Sequence, residues 1–174
     1  WDLDNTVWDG TLAEDGLEGI VLKTEAAKTI VELDRRGILN SVASKNDPIA
    51  ATEALKKFGL LDYFVCPQMG WGPKSEAVER ISQLLDLGLD TFVFIDDQPF
   101  ERGEVQETHC QVTVLAETSV SELLSLELCD VPTTAESGKR RAMYQAEARR
   151  SETFRITGTN YLDFLSSSQI VLET

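Results

Sequence analysis

Short apolar runs alternate with stretches of helical periodicity along most of the first two thirds of this 174-residue chain, and that alternation restricts the fold more than any other feature. Between about residues 23 and 36, Ala26, Ala27, Ile30, Val31 and Leu33 recur at helical spacing, with Gly37 as a stop. Residues 38–44 follow as a buried strand. Asp47 before Pro48 is an N-cap with proline at the first helical position, opening a helix through Lys57. Residues 63–66 suggest a short strand, 67–72 a loop and 74–87 a helix. A strand over 91–95, a helix over 101–107 and a strand over 111–115 complete the series. This order predicts an α/β fold of three layers, a doubly wound parallel sheet covered on both faces.

Ligands of such sheets bind beyond the carboxyl ends of the strands. Polar residues collect at that edge here: Asp2 and Asp4 at the start, Ser44 ending one apolar run, Asp96 and Asp97 ending another, and Lys74 opening a helix. Each has a bland reading. Asp4-Asn5-Thr6 could be a turn, Ser44 a strand-end hydroxyl, Lys74 a solvated helix start, and Asp96-Asp97 before Pro99 a cap. Their convergence on one rim is the stronger signal. Phosphoryl transfer needs positioning and charge neutralisation more than covalent chemistry. Asp2 is the candidate nucleophile and Asp4 the acid/base that protonates the leaving oxygen and then activates water. Ser44 and Lys74 would hold the phosphoryl group, with Thr6 and Asn46 as further substrate contacts. Mg²⁺ favours oxygen ligands and keeps several waters, which suits Asp2, the Asp4 carbonyl and Asp96, with Asp97 either a further ligand or a support behind them.

A formal charge of −14 repels nucleic acid and anionic membranes, so a phosphorylated substrate must be drawn by local positive charge and metal. No apolar run approaches the ~18 residues of a membrane span. Cys66, Cys110 and Cys129 lack metal-type spacing, and an odd number argues against a disulfide framework, which makes the cytosol the default compartment. Residues 8–19, punctuated by Gly10, Gly16 and Gly19, read as a short flap or hairpin. The elements already assigned fill the intervals from Thr6 to Ser44 and from Ser44 to Lys74, leaving no room for a substantial cap domain.

Residues 118–128 look helical, 130–137 form a linker, and 139–150 make a basic, largely exposed helix. Residues 161–165 suggest a last short helix. The expected division is a core over 1–130 and a linker with helical extension over 131–174. Trp1 stands directly before Asp2, and residues 169–174 resemble the start of a strand, so a longer parent protein is expected. Cys66 is the candidate for a reactive thiol, against the commoner reading of a buried strand residue. Cys110 and Cys129 look structural, and His109 is expected at the surface without a partner. Trp8 and Trp71 either line the entrance or pack in the core and flap.

The order Asp2/Asp4, Ser44, Lys74, Asp96/Asp97 resembles the four motifs of the haloacid dehalogenase superfamily of aspartate-nucleophile phosphotransferases, over roughly residues 1–115. The stretches 1–10, 43–47, 94–102 and 141–145 are similar to the FkbH-like branch. That resemblance implies removal of phosphate from 1,3-bisphosphoglycerate and delivery of the glyceryl group to an acyl carrier protein in polyketide biosynthesis. Two other readings stand beside it: a free-standing Mg²⁺-dependent phosphatase acting on a small phosphate ester or phosphoprotein, and a non-catalytic docking module of a larger synthase. The basic helix could meet an acidic carrier protein or be a solvated face.

Overall fold

The structure, a computed structural model, describes residues 1–157, with side chains through Arg150. The expected helix at 161–165 and strand start at 169–174 lie outside the described residues. β1 (Trp8–Asp9) pairs antiparallel with β2 (Val21–Leu22) around α1 (Leu12–Gly19), so the flap is a hairpin enclosing a short helix. α2 (Thr24–Arg35), β3 (Ala43–Ser44), α3 (Pro48–Lys57), β4 (Gln68–Met69), α4 (Lys74–Leu85), β5 (Val93–Asp96), α5 (Pro99–Thr108) and β6 (Thr113–Ala116) then alternate as expected. β3 with β4 and β5 with β6 are parallel pairs.

The opening residues join these pairs into one layer. The Ala43 amide donates to the Trp1 carbonyl at 2.9 Å, and the Asp2 amide donates to the Ile95 carbonyl at 2.9 Å. Asp2 therefore runs between β3 and β5, in the middle of the order β4–β3–opening segment–β5–β6. Alternation along the strands sends neighbouring side chains to opposite faces. Val42 and Ile95 join Leu3, Trp8, Ile30 and Leu55 in one core, while Ala43 and Phe94 join Val65, Val78, Ile81 and Val105 in the other. The two cores make three layers, with α2 and α3 on one side of the sheet and α4 and α5 on the other.

Two expected elements differ. The strand placed at 63–66 is a 3₁₀ turn over Leu61–Tyr63 and a single bridge from Phe64 to Asn40, and the strand itself is β4, inside the stretch expected to be a loop. Phe64 faces Asn40, 24 positions back, whereas Gln68 faces Ala43, 25 positions back. One extra residue is thus accommodated between them as a bulge, where Cys66 takes a left-handed φ of 48°. The helix expected over 118–128 is broken into α6 (Val120–Leu123) and 3₁₀ turns at Glu117–Ser119 and Glu127–Cys129. Arg36 Nη1 donates to the carbonyls of Leu124 and Cys129 at 2.9 and 3.0 Å, capturing acceptors that a continuous helix would use itself.

The last described element, α7 (Ser137–Thr157), is exposed along much of its length, but its first turns dock on the core. Arg140 Nη1 donates to the Gly37 carbonyl at 3.2 Å, and Arg141 Nε pairs with Asp34 at 2.8 Å while its guanidinium lies over the Tyr63 ring. No helix among the described residues is long and apolar enough to cross a membrane.

Candidate active site

Asp2, Ser44, Lys74 and Asp96, which start far apart in the chain, meet at the carboxyl edge of the sheet, and all four are buried. Lys74 is the first residue of α4. Its Nζ is bonded to Asp2 Oδ1, lies 3.1 Å from Asp96 Oδ2 and donates to the Ala43 carbonyl at 2.9 Å. Ser44 Oγ donates to Asp2 Oδ1 at 2.9 Å. Asn46 Nδ2 lies 3.1 Å from both Ser44 Oγ and Asp4 Oδ2, linking the nucleophile's neighbour to the acid/base candidate. Thr6 Oγ1 is buried beside them with no hydrogen-bond partner among the described residues, the kind of atom a bound oxyanion would satisfy.

Burial governs the charges. It pushes the Asp2 carboxyl up to about 6, with Lys74 pulling back and Asp96 pushing further up. Burial by itself would lower the Lys74 ammonium, but Asp2 and Asp96 outweigh it and hold the group above its usual range. Lys74 is therefore charged, and two carboxylates crowd one ammonium. Asp2, Asp96 and Asp97 each offer a carboxylate oxygen within 4.8 Å of the others. Asp96 Oδ2 is buried without a hydrogen bond, compensated by the nearby Lys74 charge. Hard oxygen donors, excess negative charge and an unbonded buried oxygen fit a divalent cation of the Mg²⁺ type. The Asp4 carboxylate lies outside this cluster, so its contribution to a cation would be the main-chain carbonyl, as the sequence suggested.

Asp4 is held differently. Its Oδ1 accepts from the Trp8 indole at 2.8 Å and from the Leu12 amide at 3.0 Å. The chain turns sharply after it: Asn5 has a φ of 53°, and its side-chain oxygen accepts from the Gly10 amide at 3.2 Å. Gly10, at φ 99°, sits where an L side chain is strained, and a Cβ there would also displace Asp15 Oδ2, 2.8 Å away. Lys23 closes the loop by bonding to the Asn5 carbonyl and pairing with Asp9 at 3.4 Å.

The remaining expectations divide. Trp8 is fully buried, 5.9 Å from the Phe58 ring, and it also binds Asp4; its four-residue distance from Asp4 and the need of a buried indole for an acceptor were the available signal. Trp71 is exposed. His109 is buried rather than superficial, its Nε2 lying 3.1 Å from the Ser75 carbonyl. Cys110 is exposed rather than structural, whereas Cys129 is buried. Cys66 is half-buried, and that burial pushes its thiol upward, the reverse of an activated sulfur. Glu101, Arg102 and Glu104, which sequence reasoning assigned no role, bind loops of the site.

No protein-family model matches the chain, and no curated protein matches it. Among solved structures, the chain is similar to the N-terminal part of the protein BF1531 from Bacteroides fragilis, described as containing a phosphatase domain complexed with Mg. The likeness has a TM-score of 0.64 at 33% identity and covers 77% of this chain. This chain in turn spans 40% of the length of that one.

Proposed function

We propose that this chain, whose fold is that of a haloacid dehalogenase-type phosphatase domain, is a Mg²⁺-dependent phosphohydrolase with Asp2 as nucleophile. The observation that carries the reading is the Lys74 ammonium, set between Asp2 and Asp96 at the edge where three carboxylates converge. The likeness to a Mg-complexed phosphatase domain supports both the activity and the ion. Asp2, Asp96, Asp97 and the Asp4 carbonyl would hold Mg²⁺, which supplies charge neutralisation for the transferring phosphoryl group.

The chain's own residues divide the remaining work. An Asp2 carboxylate oxygen forms a bond to phosphorus as the bond to the leaving oxygen breaks, and Asp4 gives that oxygen its proton. Asp4 then takes a proton from water, whose oxygen attacks the aspartyl-phosphate and frees phosphate and Asp2. Lys74 and Ser44 place positive charge and a hydroxyl beside Asp2, where negative charge accumulates on the phosphoryl oxygens. Asn46 fixes the spacing between Ser44 and Asp4.

Within this activity the finer reading takes a phosphoglyceryl donor, 1,3-bisphosphoglycerate: the acyl carrier protein's thiol displaces phosphate at the C1 acyl phosphate to form the glyceryl thioester, and the Asp2 centre hydrolyses the C3 phosphate ester. Its support is the FkbH-like sequence of residues 1–10, 43–47 and 94–102, together with an open rim. The three most exposed large apolar side chains among the described residues, Phe100 (77%), Ile49 (73%) and Trp71 (69%), each lie within five residues of a site residue. Arg140 and Arg141 are already bonded within the chain, so this rim rather than α7 is the proposed docking surface. The raised Cys66 thiol favours transfer without an enzyme thioester.

Incubation with Mg²⁺, the bisphosphate and a carrier protein, followed by intact-protein mass measurement, separates the readings. A glyceryl adduct on the carrier supports the finer one, and phosphate release without adduct leaves the phosphatase. No release from a broad panel of phosphate esters would overturn both and favour a docking module.

A further inference from the structure

Asp2, Ser44, Lys74 and Asp96 come from four separate segments, and their side chains alone do not fix the distances between the loops that bear them. The first turns of α5 touch three of those segments. Glu101 Oε1 accepts from Lys45 Nζ at 2.7 Å, and Lys45 lies between Ser44 and Asn46. Arg102 Nη1 donates to the main-chain carbonyl of Asp96 at 2.7 Å. Glu104 takes both donors of Ser75, the amide at 3.0 Å on Oε2 and the hydroxyl on Oε1, directly after Lys74. At the far end of the helix His109 approaches the Ser75 carbonyl at 3.1 Å, and because a carbonyl only accepts, Nε2 carries the hydrogen. Ser75 is therefore gripped on its amide, hydroxyl and carbonyl by one neighbouring helix. The start of α5 is tied in turn to the metal-site loop, since Asp96 Oδ1 accepts the Gln98 amide at 2.8 Å.

We infer that α5 is a brace for the catalytic edge, with Glu101, Arg102 and Glu104 as positioning residues that set Lys45, Asp96 and Lys74 in register. The inference rests on reading the site as a phosphoryl-transfer centre. Its physical basis is twofold. A lysine at the first position of a helix places positive charge at the positive end of the dipole, which opposes helix formation there. Glu104 brings a carboxylate to that same end and satisfies the free Ser75 amide, so the electrostatically unfavourable placement of Lys74 is held from outside its own helix. A misplacement of about 1 Å in such a site costs about 100-fold in rate, so the brace acts on turnover more than on binding. Isolated, the partly exposed Lys45–Glu101 pair would be worth little. Its meaning comes from sharing one helix with the other two ties.

The test compares Glu104→Gln and Arg102→Lys with wild type in Mg²⁺-dependent hydrolysis of p-nitrophenyl phosphate, with Glu107→Gln, an exposed acid on the same helix, as control. The brace predicts that kcat falls about tenfold or more in the first two with KM within twofold, and that the control is unchanged. Lys45→Glu and Glu101→Lys each lower kcat, and the double exchange recovers part of the loss. Hydrogen exchange at the Ser75 amide is the second readout, expected to accelerate at least tenfold in Glu104→Gln while the middle of α4 stays protected. A folded Glu104→Gln protein with wild-type kcat or unchanged Ser75 exchange overturns the brace. Where Glu104→Gln does not fold, Ser75→Ala removes only the hydroxyl arm and decides by the same two measurements. A wild type that hydrolyses no ester removes the proposed function, and the Ser75 exchange then decides the brace by itself.

Discussion

The two aspartates of the opening motif sit two residues apart and are held by opposite means. Asp2 lies on the floor of the site, buried against Ser44, Lys74 and the Asp96 environment, all more than 40 positions away in sequence. Asp4 is held by the flap through Trp8 and Leu12, both within eight positions, and by Asn46 from across the site. The floor is a long-range assembly in which one buried ammonium compensates two carboxylates. The flap is a local loop of neutral donors around one carboxylate. Loss of the Lys74 charge should therefore damage fold, metal and chemistry together, whereas loss of a donor to Asp4 should act mainly on chemistry, with a small cost in stability and none in metal binding.

The largest effect is expected on the floor. Asp2→Asn should lower phosphate release by at least about 1,000-fold while the protein stays folded, because no other carboxylate is placed as nucleophile. Lys74→Met should abolish activity and also destabilise the protein by about 3 kcal/mol in chelator, since Asp2 and Asp96 lose the charge that compensates them. Denaturant unfolding with and without Mg²⁺ checks this, and the ion should return part of the loss. A Lys74→Met protein as stable as wild type would remove the distinction between floor and flap.

A pH series sharpens the same point. The Asp2 carboxyl is raised from 3.8 to about 6 in the fold, so the native state holds its proton more tightly than the unfolded chain does. Below about pH 4 both states are protonated and the group contributes nothing differential. As pH rises from about 4 to 6 the unfolded chain ionises first, and stability falls until the penalty is complete above 6. Metal-free wild type should accordingly lose stability between pH 4.5 and 6.5 by more than Asp2→Asn does, as urea midpoints would show.

Smaller changes are expected on the flap. Trp8→Phe removes one donor to Asp4 and keeps the ring packing, so kcat should fall about tenfold with about 1 kcal/mol of stability, and Mg²⁺ affinity by calorimetry should be unchanged. Cys66→Ala should leave hydrolysis within twofold, because the thiol is pushed up by burial and sits at a bulge.

The same division explains what could be read from the sequence. Asp2, Ser44 and Asp96 were legible because a parallel sheet forces the residues that end its strands to one edge, and Lys74 because the helix it opens leaves from that edge. The Asp47-Pro48 start of α3 was legible because its cap is local: Asp47 Oδ1 accepts the Ile49 and Ala50 amides at 3.0 and 2.9 Å. The bulge at Cys66 was not, since an extra residue shows only against its partner strand. Nor were His109 and Glu104, whose roles depend on α5 lying beside the start of α4. The break after Leu123 depends on Arg36, 88 positions from the carbonyl of Leu124 that it captures.

The account stands most directly on covalent phosphorylation of Asp2. Protein turning over a phosphate ester with Mg²⁺ is treated with borohydride, which reduces an aspartyl-phosphate to homoserine, and the chain is then mapped by peptide mass. The expected result is homoserine at position 2, dependent on both ester and Mg²⁺ and missing from Asp2→Asn. Phosphate release that continues in Asp2→Asn, with position 2 left as aspartate in the wild type, would contradict it.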